Sequence, residues 1–173
     1  MPWANGGGVT YQIASWPPGA DLSGFDWRIS MADVSEPGPF SHFPGIDRVL
    51  TVLGPGPMAL TINGATALVT PQMPIEFSGD DTVTAELPEG PIRDLNVMTR
   101  RGVCRSTVRI VELRQSHAFA PDGHATIVVV LGGGLTTSAG ANLALRDVLF
   151  VDESVTVSGE ATVAVIQIHR FTG

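Results

Sequence analysis

The chain has 173 residues, 43% hydrophobic and 16% charged, with a formal net charge of −7. That length suits one domain or two small fused modules around a real core, and the acidic balance excludes a nucleic-acid partner, which needs a basic surface. No apolar run reaches the roughly 18 residues of a membrane span. The start of the chain carries no basic region followed by an apolar stretch, and the single Cys104 excludes an internal disulfide framework. A cytoplasmic protein with no membrane partner is therefore expected.

Twenty glycines and thirteen prolines punctuate the chain, and the short runs between them are rich in Val, Ile, Leu and Thr. This predicts an all-β protein with few, short helices. Taken in order, strands are predicted at 9–15, 27–34, 47–53, 58–62, 65–70, 82–87, 94–99, 106–113, 125–131, 135–137, 141–145, 154–158 and 162–169. The opening Asn5-Gly6-Gly7-Gly8 lacks the Lys-Ser/Thr of a phosphate loop and reads as close backbone approach. In the strand at 27–34, alternation sets Arg28, Ser30 and Ala32 on one face and Trp27, Ile29 and Met31 on the other. Facing inward, Arg28 and Ser30 would form a short carboxylate receptor; facing outward, Arg28 is an ordinary solvated arginine.

The segment 38–48, Gly-Pro-Phe-Ser-His-Phe-Pro-Gly-Ile-Asp-Arg, mixes turn formers with Phe40 and Phe43 and ends in Asp47 and Arg48. Aromatics in a connection cover something. They either cap the end of a barrel core or form the rim of a ligand site, with Arg48 reaching inward and Phe43 over the opening. Residues 94–98 alternate too, so Asp94, Asn96 and Met98 share a face. If these point inward, Asp94 and Asn96 need hydrogen-bond partners, and Arg48 or Arg28 is the natural cation. The plainer alternative ties a turn to its neighbour.

The run 48–54 matches 126–132, and each is followed by a Gly-rich turn and a Leu-Thr pair, at Leu60-Thr61 and Leu135-Thr136. Ala67-Leu68 then aligns with Ala144-Leu145, residues 74–77 with 148–151, and Val83 with Val163, at offsets of about 75 to 80 residues. Two related β-modules follow, at 1–105 and 106–173. Their order of short antiparallel strands fits a bicupin of two jelly-roll barrels. The unusual polar and aromatic residues fall in the first module, so the pocket is expected there and the second module is read as structural.

His42, His117, His124 and His169 include no closely spaced pair of the kind a metal-binding cupin uses, so no metal and no cofactor are expected. No Gly-x-Ser-x-Gly or Cys/His arrangement specifies a nucleophile. Residues 2–10, 27–34, 38–48, 77–79 and 90–98 together resemble the HutD/Ves family across nearly all of the first hundred residues, with a weaker continuation beyond. The resemblance implies a bicupin without the usual metal ligands, associated with bacterial histidine utilisation and acting in a binding or regulatory role. It gathers Asn5, Arg28, Ser30, Ser41, Phe43, Arg48, Asp94 and Asn96 around a pocket for a small carboxylate such as formylglutamate or urocanate. Two alternatives stand beside it: an enzyme using His42 as acid or base beside Asp47, and an oligomerisation scaffold such as a homodimer.

Overall fold

The computed structural model describes residues 1–3 and 6–171, and every regular element among them is a strand. In order these are β1 (Gly8–Trp16), β2 (Trp27–Val34), β3 (Gly38–Pro39), β4 (Ile46–Gly54), β5 (Met58–Ile62), β6 (Ala65–Val69), β7 (Pro74–Ser78) and β8 (Val83–Glu86). There follow β9 (Ile92–Arg100), β10 (Cys104–Leu113), β11 (His117–Phe119), β12 (Ala125–Thr137), β13 (Asn142–Leu143), β14 (Val148–Phe150) and β15 (Val155–Arg170). The chain divides into two units, Met1–Arg105 and Ser106–Gly173.

In the first unit the sheet β1-β2-β9-β4-β7 and the sheet β3-β8-β5-β6 share one apolar core. Val34, Leu50, Val52, Phe77 and Ile92 reach it from the larger sheet, and Met58, Leu60, Val69, Val83 and Ala85 from the smaller. Period-two alternation produces this directly, because one face of each strand supplies aliphatic side chains and the facing sheet removes them from water. Each fully buried Leu or Met contributes about 1.5–3 kcal/mol. Phe25, Ile46 and Met98 form a second small cluster, against which Phe43 packs.

The second unit repeats the pairing scheme of the first with its strands fused. β12 does the work of β4 and β5, pairing with β14 at Ile127–Val129 and with β13 at Leu135–Thr136, just as β4 pairs with β7 and β5 with β6. β15 likewise combines β8 and β9, running beside β12 along nearly its whole length. The register confirms the alignment of 74–77 with 148–151: Val49 faces Glu76 as Ile127 faces Phe150. It corrects the pairing of Val83 with Val163. Leu60 faces Ala85 and Leu135 faces Gly159, which makes Val157 the counterpart of Val83, and both are core residues.

The Gly-rich stretch expected to be a turn at 132–134 is a bend inside continuous β12, and the two strands expected at 154–158 and 162–169 are one, β15. The β12–β15 ladder shifts register between Val130 and Gly132, and Gly133 has φ +74°. A Cβ on Gly133 would stand 2.1 Å from the Glu160 carbonyl oxygen, so the ribbon folds over at the one place where no side chain intervenes. β3, β7, β11 and β14 lay outside the predicted strands; all but β7 have only two or three residues, too few to carry a readable period. β7 begins with Pro74 at the sheet edge, where its missing N–H costs no ladder bond.

Candidate functional site

A cavity of about 560 Å³ opens in the first unit. Its floor is the core-facing side of three neighbouring strands. Arg28, Ser30 and Ala32 come from β2, Asp94, Asn96 and Met98 from β9, and Arg48 from β4. The ladder sets them in rungs: Arg28, Met98 and Arg48 lie side by side, Ser30 is opposite Asn96, and Ala32 is opposite Asp94. The inward alternatives for Arg28 and for Asp94 with Asn96 are therefore the ones the tertiary fold adopts. The rim comes from Pro39, Phe40, Ser41 and Phe43, with Met1, Pro2, Trp3, Thr10 and Leu22 completing the wall.

Arg48 is 5% exposed, and burial draws its guanidinium down to about 10. Its Cζ lies 5.1 Å from the Phe40 ring centre, 5.6 Å from Phe43 and 4.9 Å from Phe77. Three aromatic faces thus replace part of the hydration that this cation lost. Nη1 donates to the Ser41 carbonyl at 3.3 Å, while Nε has no partner. Arg28 is buried on the same rung; burial lowers its pKa, and its Nε donates to Gln12 Oε1 at 3.0 Å.

Asp94 is 1% exposed, and loss of hydration pushes its carboxyl up to about 7 against the pull of Arg48. Its Oδ1 has no partner, nor does Asn96 Oδ1. Unsatisfied buried polar atoms are rare in folded proteins, and three of them belong to residues that line this one cavity.

Phe40 and Phe43 serve both roles that were open for them. Phe40 packs edge-on against Phe77 and Phe43 against the Phe25 cluster, and both line the cavity. Their loop is anchored from outside. Phe43 N–H donates to the Gly79 carbonyl and Gly79 N–H to Ile46, while the Asp80 carboxylate receives Gly45 N–H and the Arg101 guanidinium. His42 belongs to this anchor. Its Nε2 lies 2.8 Å from the Asp80 carbonyl oxygen, it does not line the cavity, and Asp47 is paired with Arg101 instead. The juxtaposition expected for acid–base work at His42 is thus not formed.

Asn5 lies outside the described residues. Sequence reading missed Trp3 and Thr10, joined by an indole-to-hydroxyl bond of 2.7 Å, and Gln12, which orients Arg28. Alternation along β1 was a usable signal for Thr10 and Gln12, whereas no local pattern carries Trp3 to this wall. Among the described residues no cluster of His, Cys, Asp or Glu is arranged to hold a metal ion.

In the second unit the same register positions carry no charged side chain. Val163 and Val165 stand where Asp94 and Asn96 do, both within the core, and Thr126 replaces Arg48 and bonds to Asp122.

The family model described as HutD matches residues 1–166. Protein Ves of Citrobacter koseri is 39% identical over 129 residues, covering 73% of this chain and 66% of that protein. An uncharacterized 21.2 kDa protein in the hutC 3' region of Pseudomonas putida is 43% identical over 57% of this chain and 52% of that protein. The chain thus spans about two thirds of the length of the Ves protein it matches and about half of the Pseudomonas one. Among solved structures, HutD from Pseudomonas fluorescens SBW25 in a formate condition superposes with a TM-score of 0.85 at 32% identity, covering 99% of this chain and 94% of that one. A cupin 2 conserved barrel protein from Leptotrichia buccalis, at 12% identity and a TM-score of 0.65 over 93% and 88% of the two chains, shares the fold.

Proposed function

The chain belongs to the HutD family, and we propose that it is a metal-free bicupin that binds a small carboxylate metabolite in the cavity of its first unit. Its role is accessory or regulatory to histidine degradation, and formylglutamate and urocanate are the leading ligand candidates. The observation that carries the reading is the Arg48 guanidinium, buried among three aromatic rings with Nε unpartnered and Arg28 across Met98 on the same rung. A carboxylate offers two acceptor oxygens to that planar fork, and the dry surroundings strengthen the contact. The context of one relative supports the pathway: it is named for its place in the hutC 3' region of Pseudomonas putida.

Isothermal titration calorimetry with formate, urocanate, formylglutamate, glutamate and histidine tests the proposal. Binding of at least one carboxylate is expected, weakened tenfold or more in Arg48→Met. A folded protein that takes up none of them would overturn the reading.

A further inference from the structure

The cavity floor is polarised along the strands. Cations occupy one rung, Arg28 and Arg48 flanking Met98, and the acceptors Asn96 and Asp94 follow on the next two rungs of β9. Same-face positions on a strand are about 7 Å apart, so the acceptor end starts about 7 Å from the cationic rung and extends to about 13 Å. The protein leaves unmatched a donor, Arg48 Nε, and two acceptors, Asp94 Oδ1 and Asn96 Oδ1. Asp94 and Arg48 are both more than nine-tenths buried.

We infer that the ligand of this cavity carries, besides the carboxylate held at the arginine rung, an N–H group further along the sheet that donates to Asn96 and Asp94. The inference rests on the carboxylate reading above. It names the ligand class as an acid that also bears an amino or amido N–H, as opposed to a fatty acid or a diacid that has none. A methyl end leaves both acceptors dry, which a buried carboxylate and amide resist. A second carboxylate meets Asp94 as a like charge, so one of the two acids must retain a proton. An N–H meets neither obstacle, and Ser30, opposite Asn96, adds a hydroxyl that can donate or accept.

The test is calorimetric titration of the full chain at pH 8 with three matched series of three to six carbons: n-alkanoates, α,ω-diacids, and ω-amino acids with their N-formyl derivatives. At the best chain length, an N–H-bearing acid is expected to bind at least tenfold tighter than the alkanoate or the diacid of equal length. In Asn96→Leu, checked for an unchanged melting transition, that advantage is expected to shrink to about threefold or less, and an advantage undiminished in the folded variant would overturn the inference. Diacids or alkanoates binding as tightly as N–H-bearing acids would overturn this inference and leave the carboxylate reading intact. Uptake of no acid from any series would overturn both. The comparison of ligands on the wild-type chain decides the matter even where the variant fails to fold.

Discussion

At the scale of single residues, Asp94 carries the most consequence. A carboxyl pushed up to about 7 by burial binds its proton in the folded state at pH values where the unfolded chain has already released it. Stability from this group is therefore fully present below about pH 4 and is lost as pH rises towards 7, with a slope approaching about 1.4 kcal/mol per pH unit at full proton uptake. Chemical denaturation across pH 5–8 is expected to show that contribution in the wild type and a flatter profile in Asp94→Asn; identical slopes would refute the assignment. Arg48 behaves differently, because a guanidinium at about 10 keeps its charge throughout that range. Arg48→Lys retains the charge but forfeits the planar stacking on Phe40, Phe43 and Phe77, so carboxylate affinity is expected to fall about tenfold with little change in pH profile.

At the scale of elements, the segment from Phe40 to Arg48 owes its shape to its anchor. Arg101 links Asp47 at the start of β4 to Asp80 in the β7–β8 turn, and hydrogen bonds to both carboxylates raise the guanidinium pKa while lowering that of Asp80. The pairs are exposed and add little stability by themselves. Their effect is to hold a loop in register. Asp80→Ala is therefore expected to change the melting temperature only slightly yet weaken ligand binding about threefold to tenfold, mostly through faster release in stopped-flow measurements. Gly79 is less forgiving. A Cβ there would sit 2.3 Å from the Phe43 carbonyl oxygen and 2.9 Å from that of Ile46, so Gly79→Val should cost about 1–3 kcal/mol in denaturant melts and displace Phe43 from the cavity. The elements also show what pattern reading misses. The strands 27–34 and 58–62 were legible because alternation runs unbroken through them, whereas glycines 132–134 read as a turn and serve as a bend. Composition is the same in both cases; only the β15 partner strand distinguishes them.

At the scale of the whole molecule, one pairing scheme is used twice with different contents. The first unit places arginines, an aspartate and an asparagine where the second places threonine and valines, so among the described residues the buried charged and amide side chains lie in the first unit. Leu60→Ala, in the shared core of the first unit, is expected to cost about 2–5 kcal/mol, while Phe150→Ala, which is 46% exposed in the second, should change stability by under about 1 kcal/mol and leave ligand affinity untouched. Equilibrium denaturation with parallel calorimetry checks both.

The amino-acid sequence by itself determined the all-β class, most strand positions, the duplicated order of elements and the face shared by Arg28 with Ser30 and by Asp94 with Asn96. Each of these follows from local period and turn chemistry, which are properties of neighbours along the chain. The tertiary structure alone decided that those faces turn inward, that Arg48 meets three aromatic rings, that His42 is spent on a loop, and that Trp3 reaches the cavity wall. Those outcomes depend on which strands become neighbours in space, and alternation sorts side chains into two faces without saying which of them a second sheet will cover.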